Sequence, residues 1–185
     1  MDIKFYRANE RPYGVFSSLY RAEISIGEKR YRSVEDAYQS RKPRDPDVRD
    51  WLLKAKKPAL TAMAAHSLLS FDIAPGWSRF RYAWMYRCTT AKFEQHEDLR
   101  RTLLETFDAR LVEAGTVDND VNRRWGEVNG QGRNFLGRIL MRVRAELSGR
   151  LCAPDAELDQ KIAEGLALLK LIDQGLPVPP AAKSA

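Results

Sequence analysis

Hydrophobic and polar residues alternate in short runs near the start of the chain. Because successive side chains of a strand point to opposite faces, this period of two predicts strands over 3–7 and 22–32. In the second segment, Gly27-Glu28-Lys29 predicts a hairpin turn between two three-residue runs. Leu111-Val112-Glu113 predicts one further short strand.

Most of the remaining chain has apolar residues every three to four positions, which predicts helices. Pro43 and Pro58 set two boundaries, because proline cannot continue a helix that precedes it. Between the helices, 116–133 reads as a polar loop. The predicted helices span 34–42, 47–57, 59–69, 79–95, 97–107, 134–148 and 155–174. The pattern therefore predicts an α+β fold, mainly α-helical with a small β-sheet.

Length and patterning also predict the domain organisation. A chain of 185 residues with 44% hydrophobic residues is long enough to bury one core, which we assign to 1–150. We assign 151–176 to a helical extension and 177–185 to a flexible tail. The extension carries an apolar stripe that predicts packing on the domain or dimerisation, so we expect a monomer or homodimer. The stripe comprises Leu158, Ile162, Leu166, Leu169 and Ile172.

Composition disfavours several classes of protein. No apolar run approaches the roughly 20 residues of a membrane span, and the first residues lack the apolar core of a signal peptide. Two cysteines and two histidines form no disulfide framework or zinc pattern. We therefore expect no cofactor, no His/Cys metal site, no membrane partner and a cytoplasmic location, while a carboxylate-bound Mg²⁺ stays open.

The helix predicted over 34–42 has an unusually polar face. Ser33, followed three residues later by Asp36, is close to a capping box and predicts where the helix begins. Positions 35, 38/39 and 42 then share one face. That face carries Glu35, Tyr38, Gln39 and Lys42. It is either the wall of an active site or a solvated surface with a spaced ion pair.

Basic residues exceed acidic ones by 31 to 25, a formal net charge of +6. This excess permits a phosphate-rich partner without requiring one. Arginines are concentrated late in the chain, where they form either a solvated helix face or a phosphate-tracking surface. They are Arg123, Arg124, Arg133, Arg138, Arg142 and Arg144.

An ordered set of motifs resembles the NADAR family, which includes the YbiA-like N-glycosidases. The resemblance covers about residues 3–147. Its segments are Phe16-Ser17-Ser18, Glu35 to Lys42, Gly76-Trp77, Ala91-Lys92-Phe93, Asn122 to Gly126, and Gly132 to Arg144. Several positions depart from the family pattern and indicate a divergent branch. Asn122 replaces an aspartate, so this position offers no second carboxylate, although Asp118 and Asp120 lie close by in sequence.

The resemblance implies cleavage of an N-glycosidic bond, which passes through an oxocarbenium-like state that a carboxylate stabilises. Glu35 is the best candidate, and a helix N-terminus would favour its ionised form. Lys42 either neutralises a substrate phosphate or, as a neutral amine, attacks an opened ribose to form a Schiff base. Asn122 completes the predicted catalytic set, and no metal is expected.

The resemblance also implies a set of binding residues. Trp125 would stack on a base, and the turn at Gly130 to Gly132 would hold a diphosphate at the start of the helix near Asn134. The alternatives are a core tryptophan and a simple helix-start turn. The full predicted set is Arg7, Tyr13, Gly14, Phe16, Ser18, Tyr38, Gln39, Trp77, Trp125, Gly126, Gly132 and Asn134.

Two substrate classes are implied by the family. We favour removal of ADP-ribose from guanine in nucleic acid, opposing a DarT-like ADP-ribosyltransferase toxin that would be a functional partner. The alternative enzyme acts on early phosphoribosylamino-pyrimidine intermediates of riboflavin synthesis. A non-catalytic ADP-ribose-binding module and a plain nucleic-acid-binding protein are further hypotheses.

Overall fold

The computed structural model describes residues 2–181 and confirms an α+β fold that is mainly helical. The helices are α1 Val34–Ser40, α2 Pro46–Leu53, α3 Pro58–His66, α4 Trp77–Gln95, α5 Glu97–Leu104, α6 Asp120–Trp125, α7 Phe135–Leu147 and α8 Ala156–Asp173. Short 3-10 helices span Tyr13–Phe16 and Ser70–Asp72. Within the described part of the chain, no helix is long and apolar enough to cross a membrane.

Two small sheets replace the single predicted one. The strands are β1 Asp2–Phe5, β2 Ile24–Ile26, β3 Lys29–Tyr31 and β4 Arg110–Glu113. β2 and β3 form the predicted hairpin, but Lys29 belongs to β3, so the turn is shorter than expected. β1 pairs in parallel with β4, and Phe5 lies opposite Glu113. The loop after β1 therefore starts beside the last residue of β4.

Helix boundaries follow local capping. The Ser33 hydroxyl accepts a hydrogen bond from the Asp36 amide (3.1 Å), as predicted, but the Asp36 carboxylate pairs with Arg32 (2.6 Å) instead of closing a capping box. α1 ends at Ser40, two residues before the predicted end, so Lys42 lies in the following turn. The predicted loop 116–133 contains α6, which begins because the Asn119 side chain caps the Asn122 amide.

α4 lies at the centre of the core, in contact with α1, α7 and α8. The indole nitrogen of Trp84 in α4 donates to the Ala37 carbonyl of α1 at 2.8 Å. α8 approaches α4 closely at Gly165, where a Cβ atom would lie 2.5 Å from the Ala83 Cβ. The predicted α8 stripe is wrong at Leu166, which is exposed, while Leu168 is buried in its place.

The residues after α8 also contact the body of the protein. The Arg79 guanidinium donates to the Pro179 carbonyl at 2.7 Å. The predicted flexible tail spans 177–185, and its last four positions, 182–185, lie outside the described residues. Its mobility stays a prediction.

Candidate active site

A pocket of about 510 Å³ lies between α1, α3, α4, α6 and the loop after β1. The polar face of α1 forms one wall. Nine of the residues predicted from the sequence line the pocket together: Arg7, Ser18, Glu35, Tyr38, Gln39, Lys42, Trp77, Asn122 and Trp125. A cavity of this size, with apolar walls and converging polar groups, is typical of a small-molecule site.

Glu35 lies in the first turn of α1 and is 8% exposed. Both oxygens of its carboxylate accept hydrogen bonds, one from the Ser18 hydroxyl (2.7 Å) and one from the Gln39 side-chain amide (2.8 Å). Burial raises the pKa of Glu35, and these two bonds oppose that rise. Burial is the larger effect on this pKa, while the two hydrogen bonds and the helix N-terminus favour the ionised form.

Lys42 and Glu35, both among the described residues, form no ion pair. The polar face of α1 is therefore not explained by a spaced ion pair between them. Its ammonium donates to the Ala65 carbonyl, and its own carbonyl accepts from the Ala74 amide at 2.8 Å. Burial, followed by the charge of Arg81, lowers the pKa of Lys42. A lysine in this environment loses its proton more readily than one in water.

Glu113, the last residue of β4, is a second carboxylate in the pocket that the sequence analysis did not assign. Its amide donates to the Asn134 side chain at 3.1 Å, and its carbonyl accepts from the Glu127 amide at 2.8 Å. Burial, with the charge of Glu35, raises the pKa of Glu113 to about 8. Glu113 is a charged residue at the end of a buried strand, and that position could have identified it from the sequence.

Three aromatic rings form an apolar wall. Tyr38 lies between the two tryptophans, with its ring centre 4.9 Å from Trp77 and 5.4 Å from Trp125. All three are buried, with Trp125 at 9% exposure. The tryptophans therefore belong to the core and present one edge to the pocket, which combines the two readings that the sequence left open.

A buried lysine holds the segment that contacts Glu35. The Lys92 ammonium donates to the carbonyls of Val15 and Ser17, the latter at 3.0 Å, and the next residue is Ser18. Burial lowers the pKa of Lys92 to about 7. Lys92 does not line the pocket; it anchors the backbone from which Ser18 reaches Glu35.

Asn122 lies on α6 and faces the pocket. Its side-chain nitrogen donates to the Val117 carbonyl at 2.7 Å, which fixes the amide. The neighbouring Asp118 does not supply the missing carboxylate, because it forms an ion pair with Arg123 at the surface. The second carboxylate of the pocket comes from β4.

The pocket lining includes several cations without a carboxylate partner among the described residues. Arg7, Arg81 and Arg124 line it, and none of these side chains pairs with an acidic group within residues 2–181. His66 of α3 also lines the pocket, and burial with the charge of Lys42 lowers its pKa. Arg81 follows Trp77 by four residues on α4, so the two side chains share one helix face. That spacing could have identified Arg81 as a pocket residue from the sequence.

The other late arginines are not a free phosphate surface. Arg123 pairs with Asp118, Arg133 with Glu157, Arg138 with Asp155 and Glu157, and Arg142 with Glu146 and Asp159. Arg144 donates to the Thr106 hydroxyl at 2.7 Å. Most of these partners belong to α8 or to the segment just before it.

Six predicted binding residues lie outside the pocket lining. Phe16 is in the core and stacks on Tyr13, with ring centres 5.6 Å apart. Gly14 lets the backbone approach the turn at Ala8, which does line the pocket; a Cβ would lie 2.7 Å from that carbonyl oxygen. These residues support the loop after β1 and do not contact a ligand in the pocket.

The remaining three support β4 and α7. A Cβ at Gly126 would collide with the Glu113 carbonyl, and one at Gly132 with the Gly126 carbonyl. Asn134 donates to the Leu111 carbonyl at 2.8 Å and accepts from the Glu113 amide. The amides of Gln131, Arg133 and Asn134 bind backbone carbonyls. These bonds favour the helix-start turn over the diphosphate cradle, which stays a prediction.

Comparisons with known proteins identify the family of this chain. The NADAR domain family matches residues 4–148, so the chain belongs to the NADAR family. The N-glycosidase YbiA of Shigella boydii is 33% identical over 147 residues, covering 79% of this chain and 88% of that protein.

Two further relatives bear on fold and substrate. The NMR structure of the E. coli protein YbiA superposes with a TM-score of 0.69 and 30% identity, covering 80% of this chain and 87% of that one. The riboflavin biosynthesis protein VVA0006 of Vibrio vulnificus is 32% identical over 78% of this chain, but the match spans 38% of that larger protein.

Proposed function

We propose that this protein is an N-glycosidase, a hydrolase of N-glycosyl bonds, with Glu35 as the carboxylate beside the anomeric carbon. The observation that carries the proposal is the placement of Glu35, held by Ser18 and Gln39, in the same pocket as Lys42. As the bond to nitrogen breaks, positive charge develops on the sugar, and a fixed carboxylate stabilises that charge.

Lys42 has two roles that the pocket supports. A neutral Lys42 amine attacks the anomeric carbon and forms a Schiff base with the opened sugar. A charged Lys42 instead holds a substrate phosphate. Partial burial, which lowers its pKa, favours the first role. Asn122 and the rings of Tyr38, Trp77 and Trp125 would orient the sugar and the base.

We further propose that the substrate is an ADP-ribose adduct of guanine in nucleic acid, with the protein opposing a DarT-like ADP-ribosyltransferase toxin. Arg7, Arg81 and Arg124 support this assignment, because cations without acidic partners suit the two phosphates of ADP-ribose. The paired late arginines do not add to it. A cytoplasmic location follows from the same proposal.

A second candidate is an N-glycosidase of phosphoribosylamino-pyrimidine intermediates. The name of the Vibrio vulnificus relative, a riboflavin biosynthesis protein, favours it. This substrate carries a single phosphate, which would leave part of the cationic lining unused.

The deciding experiment incubates the protein with ADP-ribosylated guanine DNA, free ADP-ribosyl-guanosine and the pyrimidine intermediates, and measures released base. Release from the guanine adducts supports the first proposal. Release only from the pyrimidines transfers the assignment to the second candidate. Binding of ADP-ribose without release from any substrate would instead identify a binding module.

A further inference from the structure

The pocket holds two carboxylates in unlike environments. Glu35 accepts two side-chain hydrogen bonds, as described above. The Glu113 carboxylate has no hydrogen bond or ion pair to any of residues 2–181, although it lines the same pocket. Hydrogen bonds from neutral donors favour a charged carboxylate, and their absence favours a neutral carboxylic acid.

The Glu113 backbone is held on both sides, so the position of its side chain is determined by the fold. Asn134 accepts from its amide and the Glu127 amide donates to its carbonyl. A Cβ on residue 126 would collide with the Glu113 carbonyl, so glycine at this position lets the two backbones approach closely. A residue fixed this firmly at a strand end, with a carboxyl group left unpartnered toward a cavity, is organised for a role inside that cavity.

We propose that Glu113 is the general acid of the reaction and that Glu35 is its ionised counterpart. This inference rests on the proposed N-glycosidase activity and applies to either substrate class. Two titratable groups whose environments separate their protonation states divide the acid and base roles between them.

In the proposed step, the carbon–nitrogen bond breaks and its electron pair stays on the leaving nitrogen, which takes the Glu113 proton. Water adds to the anomeric carbon and gives its proton to Glu35. The products are the free base, the sugar with a new hydroxyl, a Glu113 carboxylate and a Glu35 carboxylic acid. Proton return from Glu35 to Glu113 resets the site. If Lys42 attacks instead of water, the amine proton passes to Glu35 in the same way, and water then hydrolyses the Lys42–sugar bond to release the sugar and restore the amine.

The test compares Glu113→Gln with Glu127→Gln. Glu127 is the partner of Ala114 in a neighbouring β-bridge, pairs with Arg110 and does not line the pocket, so its variant is a matched control. For Glu113→Gln we expect kcat to fall by about 10²-fold or more with KM within about threefold of wild type. For Glu127→Gln we expect wild-type values.

The pH profile supplies the second readout. Because the acid must be protonated, wild-type kcat/KM should fall above pH of about 8. That fall should disappear in Glu113→Gln and persist in Glu127→Gln. The charged and titratable groups that share the pocket with Glu113 are Glu35, Lys42, His66, Arg7, Arg81, Arg124, Tyr6 and Tyr38. The two variants leave these groups in place, so a change seen in only one of them belongs to Glu113.

A measurement independent of turnover keeps the proposal open to refutation. In protein labelled with ¹³C at glutamate carboxyls, one signal should titrate near pH 8, vanish in Glu113→Gln and move to lower pH in Glu35→Gln. The proposal is wrong if no glutamate titrates above about pH 6, or if Glu113→Gln keeps wild-type kcat and its alkaline limb. Absence of glycosidase activity in the wild type would overturn the proposed function, a distinguishable result.

Discussion

Burial and hydrogen bonding act on the Glu35 carboxylate in opposite directions. Burial raises its pKa, while the Ser18 and Gln39 side chains stabilise the anion. A carboxylate held in this way costs little to reorganise when positive charge develops next to it. Its contribution therefore belongs to the transition state more than to substrate binding.

For Glu35→Gln we expect kcat to fall by about 10²-fold or more with little change in substrate affinity. The amide keeps the size of the side chain but carries no charge to stabilise the oxocarbenium-like state. Steady-state kinetics with a thermal unfolding control would measure this. Near-normal turnover in a folded variant would remove Glu35 from the mechanism.

Lys42 can be assigned to one of its two roles by trapping. If its amine forms a Schiff base, borohydride added during turnover should reduce the imine and leave a sugar adduct on Lys42, visible by mass spectrometry. Lys42→Arg should then be inactive, because a guanidinium does not form that imine. If Lys42 only holds a phosphate, no adduct forms and Lys42→Arg keeps partial activity.

The two roles of Lys42 predict opposite changes with pH, in adduct formation for the nucleophile and in substrate affinity for the phosphate-binding ammonium. Its folded pKa lies below the ordinary lysine value of 10.5. A nucleophilic amine must be neutral, so single-turnover trapping should increase as pH rises through that lowered pKa. A phosphate-holding ammonium must be charged, so affinity should instead decrease over the same range. A wild-type adduct yield and substrate affinity that are both independent of pH would contradict either role.

At the level of secondary structure, α1 was predictable because its signals are local. Ser33 caps its first turn and the chain reaches Pro43 soon after its end. α6 was not predictable in the same way, since it is six residues long and its cap, Asn119, lies in a run of polar residues. Asn134 and Gly132 carry family motifs, yet their role in holding β4 against α7 depends on contacts that sequence spacing does not reveal.

The packing of α8 on α4 gives a prediction for stability. Gly165→Val would place a side chain against Ala83, where a Cβ alone would already be 2.5 Å from the Ala83 Cβ. We expect the free energy of unfolding to fall by about 1–3 kcal/mol, as in other overpacked cores. Denaturant unfolding checks this, with Ala167→Val on the exposed face of α8 as control. Equal stability of the two variants would show that α8 does not dock tightly on α4.

Across the whole molecule, acidic partners neutralise most of the arginines that are concentrated late in the chain. Asp155, Glu157 and Asp159, at the beginning of α8 and just before it, pair with arginines of α7 and of the loop before it. The sequence showed both sets of charges but not that they meet, because the pairing depends on how the extension folds back. Among the late arginines, Arg124 remains available to a polyanion, because it lines the pocket without an acidic partner among residues 2–181.

The charge of Arg124 provides the last prediction, on substrate class. Arg124 lines the pocket without an acidic partner among the described residues, whereas Arg123 pairs with Asp118, so Arg124 is the better candidate for a phosphate contact. If the substrate is modified nucleic acid, Arg124→Ala should weaken binding and reduce the slope of log affinity against log salt by about one unit. Arg142→Ala removes the same charge from a paired site and should leave the slope unchanged. Free ADP-ribosyl-guanosine should show a smaller salt dependence than the oligonucleotide in all three proteins. Equal slopes for wild type and Arg124→Ala on the oligonucleotide would exclude a nucleic-acid phosphate contact at this position.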